Sequence, residues 1–263
     1  MNLDLSGKNA LVCGGSKGIG NAIANELALL GAHVTICSRS EDSLKLAVAA
    51  LDTSKGNNHS YFMADFSNPS NLKASLENFI AETNTDFNIL VNNTGGPAGG
   101  PIVNAAIEEF TSAFNNHLIC NHILVQTLLP SLKANGYGRI VNIISTSVKV
   151  PLNGLGVSNT IRGAVASWGK TLANELGQFG ITVNNVLPGA TNTDRLNSII
   201  ANKANKTGKA IDAVSDGMKS IIPMARFGEA NEIANMVTFL CSPAGSYVSG
   251  QSIAVDGGRT PSF

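Results

Sequence analysis

The run Gly14-Gly15-Ser16-Lys17-Gly18-Ile19-Gly20 directly follows a short apolar segment, Ala10–Cys13, and opens a stretch with helical spacing. Glycines there let the backbone turn tightly and let a phosphate come close. The free N–H groups and positive dipole end of the helix attract that anion. Alone the run is a plain glycine turn; after the first strand of a strand–helix–strand unit it reads as a nucleotide loop. A second polar group closes the next apolar run, in Cys37-Ser38-Arg39-Ser40. An acidic residue at that place would take the ribose diol of NAD. None is present. Arg39 and, from the glycine loop, Lys17 supply two cations beside two hydroxyls, which suits a ribose 2′-phosphate. The expectation is NADP(H) in preference to NAD(H), the plain alternative being a solvated Arg39.

Such groups need elements to hold them. Short apolar runs recur at Ala10–Cys13, Val34–Cys37, Tyr61–Ala64, Ile89–Asn92, Arg139–Ile144, Thr182–Leu187 and Ser252–Val255. Each reads as a strand buried on both faces. Between them lie helical stripes: Ile19, Ile23, Leu27 and Leu30, then Val157, Ile161, Val165, Trp168, Leu172 and Leu176. Strands alternating with helices predict an α/β chain, a doubly wound seven-stranded parallel sheet in one domain spanning residues 1–263. Residues 191–222 are polar and lack a strand, and read as an insertion over the C-terminal edge of the sheet. Within it Lys203, Lys206 and Lys209 are spaced as a solvated helix face, the alternative being a contact for an acidic partner such as an acyl carrier protein.

Composition excludes other classes. Of 263 residues 43% are hydrophobic and 14% charged, which is globular composition. Lys+Arg and Asp+Glu are both 18, and a zero net charge argues against nucleic-acid or membrane-surface binding. Cys13, Cys37, Cys120 and Cys241 form no CxxC pair and read as buried free thiols in a reducing compartment. The N-terminus has no signal-peptide pattern and no apolar stretch reaches a membrane span. The expected location is cytoplasmic.

The glycine loop, Asp65 after the third strand, Asn92-Asn93-Thr94-Gly95 after the fourth, Pro188-Gly189 after the sixth and Val255-Asp256-Gly257-Gly258 near the end form an ordered set. Along essentially the whole chain it resembles the short-chain dehydrogenase/reductase family. The first loop residue, Gly14, is usually Thr there, and Thr94 is usually Ala. The resemblance implies that Gly14, Ser16, Lys17, Gly18, Ile19, Gly20, Ser38 and Arg39 hold the cofactor. It gives Asp65 the adenine amino group with Phe66 nearby, and gives Asn93, Thr94 and Gly95 the adenine ribose. Pro188, Gly189, Thr191 and Thr193 would meet the nicotinamide side.

The same resemblance implies hydride transfer to or from a carbonyl carbon, assisted by Asn, Ser, Tyr and Lys. The phenol protonates the alkoxide, the lysine lowers its pKa, and the serine hydrogen-bonds the substrate oxygen. Only Ser145 matches. Family spacing puts Ser158 at the tyrosine position, Arg162 at the lysine position and His117 at the asparagine position. Ser158 cannot ionise near neutrality, and Arg162 cannot give up a proton, though it can hold ribose hydroxyls or polarise an oxygen; the plain alternative is lost activity with both as ordinary surface residues. Lys149, four residues after Ser145, is the candidate acid, because a lysine by an apolar cleft can be tuned downward; the plain alternative is a solvated loop lysine. His117 can titrate near neutrality, although its helical setting suits a packed or supporting role. Together with Asn93-Thr94-Gly95-Gly96-Pro97, this set resembles a divergent subgroup described as 3-oxoacyl-acyl-carrier-protein reductase-like, which lacks the tyrosine.

Two functions are therefore expected in competition. One is an NADP(H)-dependent oxidoreductase with an atypical site, acting on a small-molecule carbonyl or acyl thioester such as a 3-oxoacyl compound. The other is a catalytically silent NADP(H)-binding sensor or scaffold. The resemblance also implies a homotetramer packed through the helix bearing Ser158 and the helix near 119–129.

Overall fold

A computed structural model describes residues 1–262. Seven strands form where apolar runs predict them: β1 (Asn9–Cys13), β2 (His33–Ser38), β3 (His59–Met63), β4 (Ile89–Asn92), β5 (Gly138–Ile143), β6 (Ile181–Pro188) and β7 (Ser252–Val255). All pair in parallel, in the order 3-2-1-4-5-6-7. The helices are α1 (Gly18–Leu29), α2 (Glu41–Ala49), α3 (Pro69–Thr83), α4 (Ile107–Phe114), α5 (Cys120–Ala134), α6 (Gly156–Leu176), α7 (Asp194–Thr207), α8 (Ile211–Lys219) and α9 (Ala230–Cys241).

The two-residue period of a strand decides which helices cover which face. Ala10, Val12, Ile89, Val91 and Val141 pack against Ile23 and Leu27 of α1, Leu44 of α2, and Ile233 and Val237 of α9. Their neighbours Leu11, Cys13, Leu90 and Ile140 point the other way, onto Leu72 and Leu76 of α3, Leu124 and Leu128 of α5, and Leu176 of α6. The result is a Rossmann-like sheet with helices on both faces. The outer strands depart from full burial: every residue of β7 is half-exposed, and β3 leaves Met63 at the surface. A strand at the end of the order lacks a neighbour on one side, so its continuous apolar run does not guarantee a covered face.

A polar seam crosses the otherwise apolar middle of the sheet. Asn92 Nδ2 donates to Asn142 Oδ1, Asn142 Nδ2 to Asn185 Oδ1, and Asn185 Nδ2 to Ser252 Oγ, at 2.9, 2.9 and 3.1 Å. Four adjacent strands are thus stitched side chain to side chain, and their register fixed. Gly169 of α6 leaves room for the seam: a β-carbon there would stand 3.0 Å from both Asn142 and Asn185.

The polar segment after β6 folds into α7 and α8, which close over a small apolar cluster of Leu196, Ile200, Ala204, Val214, Ile222 and Phe227. Gly208, left-handed at φ 68, ends α7. Lys209 therefore lies beyond the helix that carries Lys203 and Lys206, and the three lysines do not share one helix face. All four cysteines are buried and free. Among the described residues, no helix is long and apolar enough to cross a membrane.

Candidate functional site

The strand order reverses between β1 and β4, so the chain leaves these neighbours in opposite directions and opens a crevice beyond their carboxyl ends. The glycine loop lies on one side of it. Gly14 and Gly18 take left-handed backbone at φ 58 and 56. A β-carbon on Gly20 would stand 2.2 Å from the Gly14 carbonyl oxygen, and one on Gly14 2.7 Å from the carbonyl of Asn93. Asn93, on the other side, donates its Nδ2 to the Cys13 carbonyl at 3.1 Å, which ties the loop after β4 to the turn after β1.

Helix α1 starts at this turn with no side-chain cap from Lys17 and no acidic residue in its first turn. Its first N–H groups and its dipole are thereby left to an external anion. At the end of β2 the Ser38 hydroxyl is buried without a partner, and the exposed Arg39 forms no ion pair among the described residues. Asp65 accepts from the Ser67 N–H at 2.9 Å, and that bond, with a small contribution from Arg39, holds its carboxyl below the usual range. Cys120 Sγ donates to the Phe66 carbonyl at 3.2 Å, fixing the chain beside Asp65. A glycine turn too tight for a β-carbon at Gly14 or Gly20, an uncapped helix start and an orphan hydroxyl beside an unpaired arginine fit a phosphate-bearing dinucleotide.

The segment after β6 completes the far wall. Gly189 N–H donates to Val255 O at 2.9 Å, and a β-carbon on Gly189 would stand 2.7 Å from Asp256 Cα. Thr191 Oγ1 donates back to Gly189 O at 3.1 Å and Thr193 Oγ1 to Thr191 O at 3.2 Å, while Thr193 also caps α7. Folding brings Thr193 to the glycine loop: its Cγ2 would lie 3.5 Å from a β-carbon on Gly18.

Around Ser145 the structure assembles some of the expected residues and leaves others apart. Ser145 Oγ accepts from the Ser147 N–H at 3.1 Å, which leaves its own proton free to donate. Arg162, 7% exposed, is no surface residue: it runs under the end of β5 and donates Nη1 to the Ile143 carbonyl at 2.9 Å. Burial, and secondarily Arg195, push its pKa down to about 10. Ser158 is half-buried one turn before Arg162 on α6, and Lys149 is half-buried after the short turn Thr146–Val148. Neither makes a side-chain hydrogen bond or ion pair among the described residues. The three tyrosines are elsewhere. Tyr61 reaches Glu41, Tyr137 donates to the Cys241 carbonyl at 2.6 Å with its pKa pushed up to about 12 by burial, and Tyr247 is fully exposed.

His117 takes the packed, supporting role that its helical setting suggested, and does not titrate near neutrality. It sits in a π-turn, Asn115–Ile119, is 2% exposed, and its Nδ1 lies 2.6 Å from the Thr94 hydroxyl. Burial first, then the nearby charges of Arg162 and Arg195, bring its pKa down to about 3, so it stays neutral through the physiological range. Thr94, which the family resemblance places against a ribose, spends its hydroxyl on this imidazole.

Arg195 carries no signal in the sequence. It reaches from α7 to the loop after β4, donating to the carbonyls of Gly96 and Pro97 at 3.0 and 3.3 Å. Only the chain path over the crevice makes these residues neighbours. Beside them lies a cavity of about 360 Å³ bounded by the Gly95–Ala98 backbone, Glu108, Ser112, Asn116 and His117.

A family model described as Enoyl-(Acyl carrier protein) reductase matches residues 14–260. A tropinone reductase homologue of Arabidopsis thaliana is 36% identical over 256 residues, 97% of this chain and 91% of its own. The solved structure of L-sorbose reductase from Gluconobacter frateurii, complexed with NADPH and L-sorbose, superposes with a TM-score of 0.93 at 29% identity over 100% of both chains. A blue fluorescent protein from a metagenomic library, in complex with NADPH, superposes at 0.83 with 31% identity over 97% of this chain and 99% of its own.

Proposed function

The chain belongs to the short-chain dehydrogenase/reductase family, and on that premise we propose that it is an NADP(H)-dependent oxidoreductase reducing a carbonyl substrate, such as a 3-oxoacyl compound, through an atypical site. The observation that carries the reading is the contact of Gly20 with Gly14 at the uncapped start of α1, a turn closed so tightly that only glycine fits it and the first helix N–H groups are left without a side-chain cap. The NADPH complexes of two similar structures support the same cofactor. When bound, the nicotinamide supplies or accepts a hydride at the substrate carbon.

The chain's own residues do the rest. Ser145, whose oxygen is held by the Ser147 N–H, donates its proton toward the substrate oxygen and steadies the charge that gathers there. Lys149 supplies the proton, since neither Ser158 nor Arg162 can. Arg162 stays cationic behind Ser145 and favours negative charge in front of it. Lys17, Ser38 and Arg39 take the 2′-phosphate, and α5 and α6 form the surface of a homotetramer. NADPH and NADH titration tests the first step: at least about tenfold tighter binding of NADPH is expected, as for one well-made phosphate contact. Equal affinities overturn it.

A second reading has its own support. With all three tyrosines engaged or exposed away from Ser145, a chain that binds NADP(H) without turning over any carbonyl acts as a sensor or scaffold. NADPH oxidation assayed across 3-oxoacyl thioesters and small diketones separates the two.

A further inference from the structure

We propose that Arg162 and Arg195 together form a carboxylate-binding site, so that the substrate is an anionic carbonyl compound, a free oxo-acid in preference to its ester or thioester. The inference rests on the oxidoreductase reading above and adds to it the charge of the substrate.

Both guanidinium groups converge on Gly96. The Nη2 of Arg195 and the Nη2 of Arg162 would lie 2.9 and 3.3 Å from a β-carbon there, so both guanidinium tips stand against this glycine. Two like charges held this close repel, and Arg162 sheds most of its water to get there. Arg162 is 7% exposed. Such an arrangement is costly without a compensating anion. Among the described residues neither arginine pairs with a carboxylate. Glu108 and Glu109 bound the adjacent cavity, but the Glu109 carboxylate accepts from the Ala106 N–H at 2.8 Å and caps α4.

Arg162 keeps donors unspent. Arg162 spends Nη1 on the Ile143 carbonyl, while its Nε is buried with no partner and its Nη2 makes no hydrogen bond among the described residues. Nε and Nη2 form one edge of the guanidinium, the edge that takes both oxygens of a carboxylate. Arg195 is anchored by Gly96 and Pro97 carbonyls and brings its charge to the same place from α7. Since Arg162 also touches the strand end that leads to Ser145, an acid held there lies within a short chain of the hydroxyl that would meet its carbonyl oxygen. Burial and the charges of the two arginines keep the neighbouring His117 neutral.

Calorimetric titration tests this with acetoacetate and methyl acetoacetate, each added to the wild type saturated with NADP⁺, where no reduction can occur. Acetoacetate is expected to bind at least about tenfold more tightly than the ester, a difference typical of one charge-assisted pair. The preference should vanish in Arg195→Met, a surface-reaching residue whose loss spares the core, and in Arg162→Met where that variant folds. Ester binding equal to acid binding overturns the proposal, as does a preference that survives Arg195→Met or the failure of acetoacetate to bind at all. The cofactor's own phosphates are the other anion that could sit here. If inorganic pyrophosphate binds the cofactor-free protein through Arg195, and acetoacetate cannot bind once NADP⁺ is present, the arginines serve the cofactor and the substrate assignment falls. Failure of the oxidoreductase reading looks different: neutral and acidic carbonyls alike are not reduced, whatever the calorimetry gives.

Discussion

The hydroxyl of Thr94 and Nδ1 of His117 lie 2.6 Å apart, joining the loop after β4 to the π-turn that precedes α5. A buried imidazole held this way is neutral in the folded chain, with a pKa near 3 against 6.5 when unfolded. Between those values the unfolded chain binds the extra proton. Stability from this group is therefore full above about pH 6.5 and falls as the pH drops toward 3. At pH 5 the loss is about 2 kcal/mol relative to pH 8. Urea unfolding of the wild type and His117→Gln should show this difference shrinking in the variant; an identical pH dependence in both chains refutes it.

Gly20→Ala places a methyl group against the Gly14 carbonyl. The loop must open, and NADPH affinity should fall by roughly tenfold to a hundredfold, matching an overpacking cost of about 1–3 kcal/mol. Gly217→Ala serves as the control. That residue lies in α8 with no heavy atom within 4 Å of the new methyl, so the helix should gain about 0.5–1 kcal/mol with cofactor affinity unchanged. Fluorescence titration of both variants decides the point.

Arg39→Asp exchanges a phosphate partner for a diol partner at the end of β2. The preference for NADPH over NADH should narrow or reverse. Retention of the full preference would show that Arg39, exposed and unpaired, does not touch the phosphate.

Ser145→Ala should lower turnover by roughly 10²–10³, the usual loss for a donor aimed at a developing oxyanion. Lys149→Met should cost at least as much and shift the pH profile, while Ser158→Ala should cost little, since a serine offers only a hydrogen bond. This order follows from proton-transfer capacity. Turnover abolished by Ser158→Ala but not by Lys149→Met would remove Lys149 from the mechanism.

Light scattering at micromolar concentration should return four copies of the chain, associated through α5 and α6. Trp168 of α6 donates to His122 of α5 at 3.3 Å, tying the two helices together. A monomer would count against this arrangement.

The sequence by itself determined the seven strands, their parallel pairing and the place of the glycine loop, because these depend on short-range pattern: continuous apolar runs, helical stripes and glycines at a strand end. It also made Ser145, Ser158 and Arg162 countable along one strand and one helix. It did not show that β3 and β7 are half-open, since burial at a sheet's end depends on which strand lacks a neighbour. Nor did it show the Asn92–Asn142–Asn185 seam or the meeting of Arg162 and Arg195 at Gly96, whose members lie far apart along the chain. Residue type made His117 a group that titrates near neutrality, and tertiary structure made it neutral, because a pKa is set by burial and by charges that only folding brings near.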